Sequence, residues 1–427
     1  MTARPRVAIA GGGFAGLETA FTLRQRLGDQ VDLTVISDHT QFLFKPNTIY
    51  LPFGYDERRL HIPLARPAAR RLVQFHHGVV TGMQQDRVEL KDGARIPYDF
   101  LVLGTGAAMR PTEVPGLAEH AETIWTPAAM HQLGDRLGEL RSAAARGEHR
   151  RVLFLVPPGN KCAGPLYEIV FMLDTWLRRH GIRDRVTLTW TTYENSYIQA
   201  FGPRLHEVVR TEFADRGIEG HTGAVVSKVS ADEVLYDDGS RRGCDLLVAF
   251  PPYVAAVEYP GVPADDRGFL RTEAASRLVA GTDNVYAPGD AGDFPVKQAF
   301  LALLQADAVA DHIASRIDPR LAVETRDFEP TSMCVMEMFD TATFAQVPLA
   351  TTGDPAGPVR VADDAGSRYR VGVSPVWQLG KKTLGLYLPW QFKAGRPFHG
   401  GRAWSAMELA LRGMSAALAS GPDTPRT

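Results

Sequence analysis

The N-terminal segment constrains the fold most, because a short β-rich run leads through a glycine turn into an amphipathic helical run. It reads "RVAIAGGGFAGLETAFTLRQRL" and carries the spacing G-x-G-x-x-G. In such a strand–turn–helix unit the first glycine permits the sharp turn, the second lets the backbone approach a pyrophosphate, and the third lets the helix pack on the strand. The alternative is a chance glycine-rich turn. The residues predicted to contact a dinucleotide are Gly11, Gly13, Phe14, Ala15 and Gly16.

A second β-rich run, "VDLTVIS", follows the helical run at the distance expected for a parallel neighbour. The residue at the end of this strand is normally acidic and bonds a ribose hydroxyl of the dinucleotide. Here the strand ends in Ser37, and Asp38 comes next. Either side chain could make the contact, so both are predicted cofactor contacts.

Length and composition limit the classes of protein that remain. The chain has 427 residues, which suffices for two or three domains with their own cores. A formal net charge of -2 gives no support for nucleic-acid binding. The first strand starts at Arg6, so no signal peptide is expected, and no apolar run reaches the ~18 residues of a membrane span. The prediction is a cytoplasmic protein whose membrane contact, if any, is peripheral.

Cysteine and histidine usage narrows the chemistry further. Three cysteines in a chain of this length do not make a disulfide scaffold, so a pair among them is more consistent with redox chemistry. The 12 histidines show no metal-ligand spacing, and no metal site is predicted.

Two later stretches indicate that the first glycine turn binds FAD and not NAD. "YDFLVLGTGA" ends a strand at Thr105 and Gly106, and "TDNVYAPGDAGDF" ends one at Gly289 and Asp290. They resemble the other two FAD-contact motifs of the flavoprotein superfamily with two dinucleotide-binding folds. The resemblance implies an α/β protein with two Rossmann-like domains, the second inserted in the first, and a C-terminal region for membrane attachment and quinone. The predicted boundaries are residues 1–111 and 261–330 for the FAD domain, 112–260 for the inserted domain and 331–427 for the C-terminal domain.

The inserted domain lacks the glycine fingerprint. Its strand "RVLFLV" runs into "PPGNKCAGPLYE" and a helix to about His180, with "RVTLTWTT" as the next strand. Proline supplies no N–H for a phosphate, so NAD(P)H binding at this turn is disfavoured. A thiol at the same turn, Cys162, is then a candidate route for electrons.

Five segments resemble sulfide:quinone oxidoreductases and the flavoprotein subunit of flavocytochrome c sulfide dehydrogenase. They are "VISDHTQFLFKPN", "KCAGPLYE", "FPVKQAFLALLQADAVADHIA", "PTSMCVMEMFDTATFAQVPLA" and "VSPVWQLGKKTLGLYLPW". The resemblance implies FAD-dependent oxidation of sulfide, or of a related thiol donor, to polysulfide, with electrons passed to a membrane quinone. It also implies cofactor contacts at Lys45, Pro46, Val80 and Lys297.

The resemblance assigns a redox pair to Cys162 and Cys334, which would meet beside the flavin and be bridged in the oxidised enzyme. Such chemistry needs thiolates of lowered pKa, which Lys161 and the following helix N-terminus could provide for Cys162. The alternative for each cysteine is a small buried hydrophobe, and this is the prediction for Cys244.

Two further catalytic roles follow from the same resemblance. Glu168 would accept a proton, and Lys297 would stabilise negative charge on the reduced flavin. The alternatives are a glutamate favoured by the helix dipole and a solvated lysine. A third family cysteine is replaced by Trp125, which predicts noncovalent FAD, and the family histidine is missing near residues 199–201.

The C-terminal segment mixes aromatic, aliphatic and basic residues, which suits the interface of an anionic bilayer. The basic residues are Lys381, Lys382, Lys393 and Arg396, and Trp377 is among the apolar ones. The last helix carries a stripe of Trp404, Met407, Leu411, Met414 and Leu418, which could enter lipid or pack on the protein or on a second subunit. The predicted quinone contacts are Phe339, Phe344, Tyr387 and Trp390. The prediction is a monotopic protein at the inner face of the cell membrane.

Three other functions remain open from the sequence. A type II NADH:quinone oxidoreductase would need the second glycine fingerprint. A flavocytochrome-type sulfide dehydrogenase would need export and a cytochrome partner. A degenerate FAD-binding redox sensor would hold a flavin that neither sulfide nor NADH reduces.

Overall fold

The computed structural model describes residues 4–352 and 358–419. Its first unit is built on a parallel sheet, and the elements up to the end of that sheet's fourth strand come first in the chain. They are β1 (Arg6–Ala10), α1 (Phe14–Leu27), β2 (Asp32–Ser37), β3 (Gln41–Leu43), β4 (His61–Pro63), α2 (Ala65–Arg70), β5 (Val73–His77), β6 (Val80–Gln84), β7 (Arg87–Leu90), β8 (Arg95–Pro97) and β9 (Phe100–Leu103).

The second unit occupies the middle of the chain and repeats this plan. Its elements are β10 (Ala107–Met109), α3 (Leu117–His120), β11 (Glu122–Thr123), α4 (Pro127–Ala145), β12 (Arg150–Val156), α5 (Gly164–Arg179), β13 (Val186–Thr192), α6 (Gly202–Arg216), β14 (Ile218–His221), β15 (Val226–Val229), β16 (Glu233–Tyr236), β17 (Arg241–Gly243), β18 (Leu246–Ala249) and β19 (Tyr253–Ala255).

The chain then returns to the first unit and ends in a third one. The remaining elements are β20 (Val285–Tyr286), α7 (Ala299–Ile317), β21 (Thr331–Glu337), β22 (Ala342–Thr351), β23 (Val359–Val361), β24 (Arg370–Ser374), α8 (Pro375–Lys393) and α9 (Gly401–Leu418).

Strand order shows that the second unit is inserted in the first. The first sheet runs β20-β9-β1-β2-β5, so the second unit lies in the chain between β9 and its neighbour β20. The second sheet runs β11-β18-β12-β13-β14, and both sheets are parallel throughout. The predicted α/β fold with two Rossmann-like units is confirmed.

Apolar burial on both faces explains the parallel sheets. β1 is buried from Val7 to Ala10, as expected for a strand covered on both sides. Helices α1 and α7 pack together on one face, and the small antiparallel sheet β6-β7-β8 covers the other. In each sheet the central strand lies beside the strand that follows its helix: β1 beside β2, and β12 beside β13. Dinucleotide folds bind their ligands at the carboxyl ends of these strands.

The third unit is an antiparallel sheet with α8 and α9 packed against it. β21 pairs with β22 so that Cys334 lies opposite Ala345, and β24 pairs with the other side of β22. Trp377 of α8 stacks on Phe344 of β22 with ring centroids 4.3 Å apart. Among residues 4–352 and 358–419, no helix has both the length and the apolarity needed to cross a bilayer.

Candidate functional site

Close backbone packing explains the glycines of the first turn. Gly11 has φ +118°, and a Cβ there would lie 2.1 Å from the carbonyl oxygen of Gly104. A Cβ on Gly16 would lie 1.9 Å from the carbonyl oxygen of Gly11. Neither position can hold a side chain, because contacts below 3.0 Å are essentially absent for real Cβ atoms. Two of the three fingerprint glycines are therefore required by the protein backbone itself.

The third fingerprint glycine leaves room for a ligand. A Cβ on Gly13 would meet no atom of the described residues within 4 Å. Gly13 is the N-cap of α1, and within the described chain no side chain caps this helix end. The first N–H groups of a helix have no intrahelical acceptors, so Phe14 and Ala15 offer theirs to an anion. This open, uncapped helix end fits the pyrophosphate of FAD.

The other predicted adenine-side residues lie around the same sheet edge. Ser37 is buried at the end of β2, and its carbonyl oxygen accepts a hydrogen bond of 2.9 Å from the N–H of Gly78. Asp38 is exposed next to it. Val80 begins β6 and is buried within the hydrophobic cluster of the first unit. These positions follow β2, where the ribose end of a dinucleotide lies in this fold.

The flavin-side motifs converge from two loops. Gly106 follows β9 with φ +78°, and the preceding Thr105 accepts a hydrogen bond of 3.4 Å from the hydroxyl of Tyr259. Gly289 has φ +72° and packs on Ala15 of α1. Because Gly104 directly after β9 also packs on Gly11 and Gly16, the first helix and the loops after β9 and β20 lie together.

A half-buried carboxylate, Asp290, and two lysines form the charged part of this site. Burial raises the pKa of Asp290, and the cations Lys297 and Lys45 oppose that rise. Burial lowers the pKa of Lys297 to about 7 and that of Lys45 to about 8. Lys45, which Pro46 follows in the chain, lies 3.3 Å above the ring of Trp125. The predicted solvated alternative for Lys297 is wrong, since its side chain is buried, bonds the carbonyl of Gly292 and covers the ring of Phe269.

The second turn is held by a buried asparagine rather than by glycines. The side-chain nitrogen of Asn160 donates to the carbonyl oxygen of Phe250 over 2.9 Å, and its oxygen accepts from the N–H of Cys162 over 3.0 Å. At the start of α5, the sulfur of Cys162 lies close to Gly164, whose N–H lowers the pKa of the thiol, and Pro165 has no N–H to offer. The helix end that would bind a phosphate in a dinucleotide fold is occupied by a thiol.

The short segment Lys297–Gln298 forms hydrogen bonds next to both of the predicted redox cysteines. The N–H of Lys297 donates to the carbonyl of Lys161 over 3.2 Å, next to Cys162. The side chain of the following Gln298 donates to the carbonyl of Met333 over 3.3 Å and accepts from Ser332 over 2.9 Å, next to Cys334. Both cysteines are half-buried and pack on the same hydrophobic cluster, whereas Cys244 is buried in a different one, as predicted.

The thiols do not have the lowered pKa that the sequence suggested. Burial raises the pKa of Cys162 to about 12, and the Gly164 N–H offsets only part of this. Burial also raises the pKa of Cys334, and the neighbouring charges of Glu168 and Cys162 add to the rise. Desolvation outweighs the helix N-terminus here, so a thiolate at this site needs a local proton acceptor. All three cysteines are free thiols in the described chain.

Glu168 reaches the cysteine of the third unit. Its carboxylate accepts a hydrogen bond of 2.8 Å from the N–H of Glu337 and one from the Nζ of Lys381, which also donates to the carbonyl of Val335 over 3.0 Å. Burial raises the pKa of Glu168, and the Lys381 cation opposes the rise. Lys381 is therefore a buried partner of Glu168 and not a membrane-facing base, which corrects the prediction for this residue.

A cavity of about 350 Å³ opens onto Cys162 from the side of β13 and α6. Glu194 lies in its wall, and burial raises the pKa of this carboxyl to about 7. The sequence analysis missed Glu194 and Asn160. A signal for Glu194 was available, because it lies just after β13, the strand that corresponds to β2, as Asp38 lies just after β2.

The predicted quinone contacts do not lie together. Tyr387 and Trp390 are neighbours on α8, with ring centroids 6.0 Å apart, and Phe339 packs on Tyr50 and Phe53 elsewhere. Phe344 is 1% exposed beneath Trp377, so a ligand cannot reach its ring. Phe344 does not fit the predicted role.

Four of the five residues of the apolar stripe of α9 are half-buried, and Leu418 is exposed. Trp404 packs on Phe398 and Tyr387, and Met414 packs on the cluster around Trp377, so these residues are half-buried. Trp377 itself is fully buried, which corrects its predicted place at the interface. The large apolar side chains exposed in this part of the chain are Val373, Val376, Leu379, Leu386, Trp390, Leu409 and Leu418.

Three potential metal ligands meet at the back of α1, a cluster that sequence spacing did not reveal. Glu18, Asp307 and His399 place one ligand atom each within 4.8 Å of one another. Protein groups already occupy them: Glu18 accepts from the N–H groups of Phe398 and His399, and the ring of His399 bonds Asp307. The cluster ties the segment after α8 to the first unit.

Comparison with known proteins agrees with this geometry. Residues 5–140 match the family described as pyridine nucleotide-disulphide oxidoreductase. The sulfide-quinone reductase of Aquifex aeolicus is 28% identical over 265 residues, which are 60% of each chain. The resemblance predicted from the sequence is confirmed. The crystal structure of the sulfide:quinone oxidoreductase from Aquifex aeolicus superposes with a TM-score of 0.81 at 21% identity, covering 99% of this chain and 98% of that one.

A relative with a different name is also similar to this chain. A NADH dehydrogenase-like protein of Mycobacterium tuberculosis is 27% identical over 302 residues, 67% of this chain and 72% of that protein. At the level of the family match, the predictions of an oxidoreductase and of FAD as its cofactor are confirmed. The chain matches 60% of the length of the Aquifex aeolicus protein.

Proposed function

We propose that the chain is an enzyme that oxidises sulfide to polysulfide through Cys162 and Cys334 and passes the electrons by way of FAD to a quinone. The observation that carries this proposal is the Lys297–Gln298 segment, which hydrogen-bonds the neighbours of both cysteines beside Asp290. The names of the relatives, sulfide-quinone reductase and sulfide:quinone oxidoreductase, support the same substrate and acceptor.

In this proposal FAD supplies a two-electron acceptor that a quinone can reoxidise, and the protein groups bind and position the sulfur atoms. Cys162 faces the cavity and takes the substrate sulfur, while Cys334 lies on the side of Glu168. Glu168 accepts a proton near Cys334, and Lys381 holds its carboxylate in place. Lys297 places a cation beside the flavin-side carboxylate Asp290.

Noncovalent FAD binding is part of the proposal. Trp125, at the position of the third family cysteine, has no sulfur to form a tether and instead packs on Lys45 and Tyr253. Denaturation in acid should release all of the flavin into the supernatant, and flavin that stays with the precipitated chain would contradict this point.

We further propose that α8 docks on a membrane surface where the quinone is met. Leu379, Leu386 and Trp390 are 66%, 75% and 51% exposed on this helix, and Lys382 is an exposed base beside them. Exposed apolar side chains next to lysine suit an anionic bilayer interface. Flotation with anionic vesicles tests this, with Leu386→Ser as the variant expected to lose binding and Leu72→Ser, equally exposed in the first unit, as the control.

Anaerobic bleaching of the flavin absorbance tests the main proposal. Sulfide alone should reduce the flavin, NADH alone should not, and a soluble quinone should restore the oxidised spectrum. Reduction by NADH and not by sulfide would favour the alternative that the Mycobacterium tuberculosis relative raises, a type II NADH:quinone oxidoreductase. A flavin bleached by neither donor would indicate a redox sensor.

A further inference from the structure

The cavity next to Cys162 contains an acidic group with no role so far. Its walls are the turn from Gly159 to Gly164, six residues of the segment after β13, and two pairs from farther along the chain. The six are Tyr193, Glu194, Ile198, Gln199, Ala200 and Phe201, and the pairs are Pro295 with Val296 and Pro358 with Val359. Among the described residues of this lining, Glu194 is the one carboxylate. Glu168 lies instead on the Cys334 side, hydrogen-bonded to Lys381. Glu194 therefore shares the cavity with Cys162, whose thiol is also influenced by the charges of Asp290 and Glu168.

Glu194 is held in place by two hydrogen bonds. Its Oε1 accepts from the N–H of Gln199 over 3.0 Å, and its Oε2 accepts from the hydroxyl of Thr192 over 3.2 Å. Both bonds favour the carboxylate, but burial outweighs them and leaves the pKa at about 7. A carboxyl of this pKa is divided between its two protonation states at neutral pH, as general acid–base catalysis requires.

The charged and titratable groups around Glu194 do not supply another base. Cys162 and Tyr193 line the same cavity, and burial raises the pKa of each to about 12. Tyr167, on α5, is fully buried, and its pKa is raised further. On the turn side are two cations, Lys161 and the Arg267 guanidinium that pairs with Glu113 over 2.8 Å. Among the described residues that line the cavity, Glu194 is therefore the carboxylate that can accept a proton from a ligand.

We propose that Glu194 is the general base of the sulfur-transfer step, accepting the proton of hydrogen sulfide or a small thiol as the donor sulfur attacks Cys162. This inference rests on the proposed function, with the oxidised Cys162–Cys334 disulfide as the electron acceptor. The S–H bond of the donor breaks, and an S–S bond forms between the donor sulfur and Cys162. The Cys162–Cys334 bond breaks, and its electron pair leaves with Cys334 as a thiolate. The donor sulfur loses two electrons, the disulfide gains two, and the proton is on Glu194.

The role of Glu194 as general base is tested by stopped-flow measurement of flavin bleaching. The holoenzyme is mixed with sodium sulfide at a series of pH values on both sides of neutrality. In the wild type the rate should rise with pH through about 7 as the carboxyl ionises. Glu194→Gln should bleach about 100-fold more slowly, because general base catalysis contributes roughly that factor, and it should lose the rise that belongs to the carboxyl. Glu219→Gln, an exposed carboxylate on β14, is the matched control and should behave as the wild type.

Hydrogen sulfide also ionises near neutral pH, so a second variant separates enzyme from substrate. Thr192→Val removes a hydrogen bond that lowers the pKa of Glu194, so the rise should move to higher pH. The ionisation of the substrate cannot move with this substitution. A midpoint that stays in place in Thr192→Val, or an unchanged rate and pH profile in Glu194→Gln, would overturn the inference.

Infrared difference spectra report the protonation of Glu194 without depending on activity. They can therefore also be recorded for a variant that retains little flavin. A protonated-carboxyl band should disappear through about pH 7 in the wild type and be missing in Glu194→Gln. A wild type without this band would refute the assigned titration. A wild type that shows the band but is not bleached by sulfide would instead refute the proposed function, and with it the sulfur-transfer step.

Discussion

The two strand–turn–helix units, β1–α1 and β12–α5, occupy equivalent places in their sheets but hold different things. In the first, Cβ positions on Gly11 and Gly16 are closed by backbone oxygen atoms, and Gly13 stays open toward the uncapped helix end. In the second, the side chain of Asn160 fixes the turn, and the helix N–H meets the sulfur of Cys162. In the first turn the exposed backbone leaves room for a dinucleotide. In the second turn the side chain of Asn160 fills the corresponding space, and a thiol lies at the helix end.

What the two helices share is a buried glutamate at their fifth residue, Glu18 in α1 and Glu168 in α5. Glu18 accepts the backbone N–H groups of Phe398 and His399, and Glu168 accepts the N–H of Glu337 and the Nζ of Lys381. Each unit thus anchors a different part of the C-terminal chain. The two helices therefore hold the third unit in place, whereas the turns before them determine what each unit binds.

Gly16→Ala should have the largest effect, because its Cβ would lie 1.9 Å from the carbonyl oxygen of Gly11. The turn must open to accept it, and we expect the purified variant to contain no flavin and to melt at a lower temperature. Flavin absorbance per chain and thermal unfolding measure this. Gly13→Ala is the contrasting variant: it should fold as the wild type and lose flavin only, since its Cβ meets no described protein atom within 4 Å. Equal unfolding temperatures for Gly16→Ala and the wild type would contradict the close backbone packing of this turn.

Lys381→Met should come next, because it leaves the Glu168 carboxylate buried without its cation. Removing one partner of a buried ion pair costs about 3–5 kcal/mol in the free energy of unfolding. Denaturant unfolding of the holoenzyme measures the change. Lys382→Met, the exposed neighbour on the same helix, should change it by less than about 0.5 kcal/mol. Similar values for the two variants would show that Glu168 does not anchor α8.

Asn160→Ala should lower the free energy of unfolding by about 1–3 kcal/mol, the cost of leaving buried hydrogen-bonding groups unpaired. It frees the carbonyl of Phe250 and the N–H of Cys162. The Cys162 thiol should also react faster with an alkylating agent, because the turn that buries it loosens. Asn195→Ala, an exposed asparagine after β13, is the control for both measurements. An unchanged alkylation rate in Asn160→Ala would mean that the side chain does not hold the turn.

The smallest effect is expected in the pH dependence of stability at Glu194. Its folded pKa, about 7, lies above the ordinary value of 4.5, so the folded state binds the proton more tightly than the unfolded state. This contribution to stability is complete below pH 4.5 and is lost as the pH rises to 7. Glu194→Gln should therefore gain stability relative to the wild type as the pH rises through this window, and Glu219→Gln should not. A constant difference across the window would count against the raised pKa.

Sequence alone determined the first turn and the α/β plan. The spacing of Gly11, Gly13 and Gly16 between a β-rich and a helical run is local information, and the backbone contacts explain why it is diagnostic. The loss of glycines around Cys162 was equally visible. The pairing of Cys162 with Cys334 came only from the resemblance to a family, since the residues between them give no distance.

Only the three-dimensional packing shows which ionisable side chains are buried and which are exposed to water. Lys381 looked like an interfacial base because its neighbours in the chain are basic and apolar, yet it is buried against Glu168. The thiols looked activated by a lysine and a helix end, yet burial dominates and raises their pKa. Desolvation depends on every atom packed around a group, and most of those atoms come from distant parts of the chain. Periodicity and spacing report neighbours in the sequence, so they fix the turns and the sheets but not the electrostatics of the site.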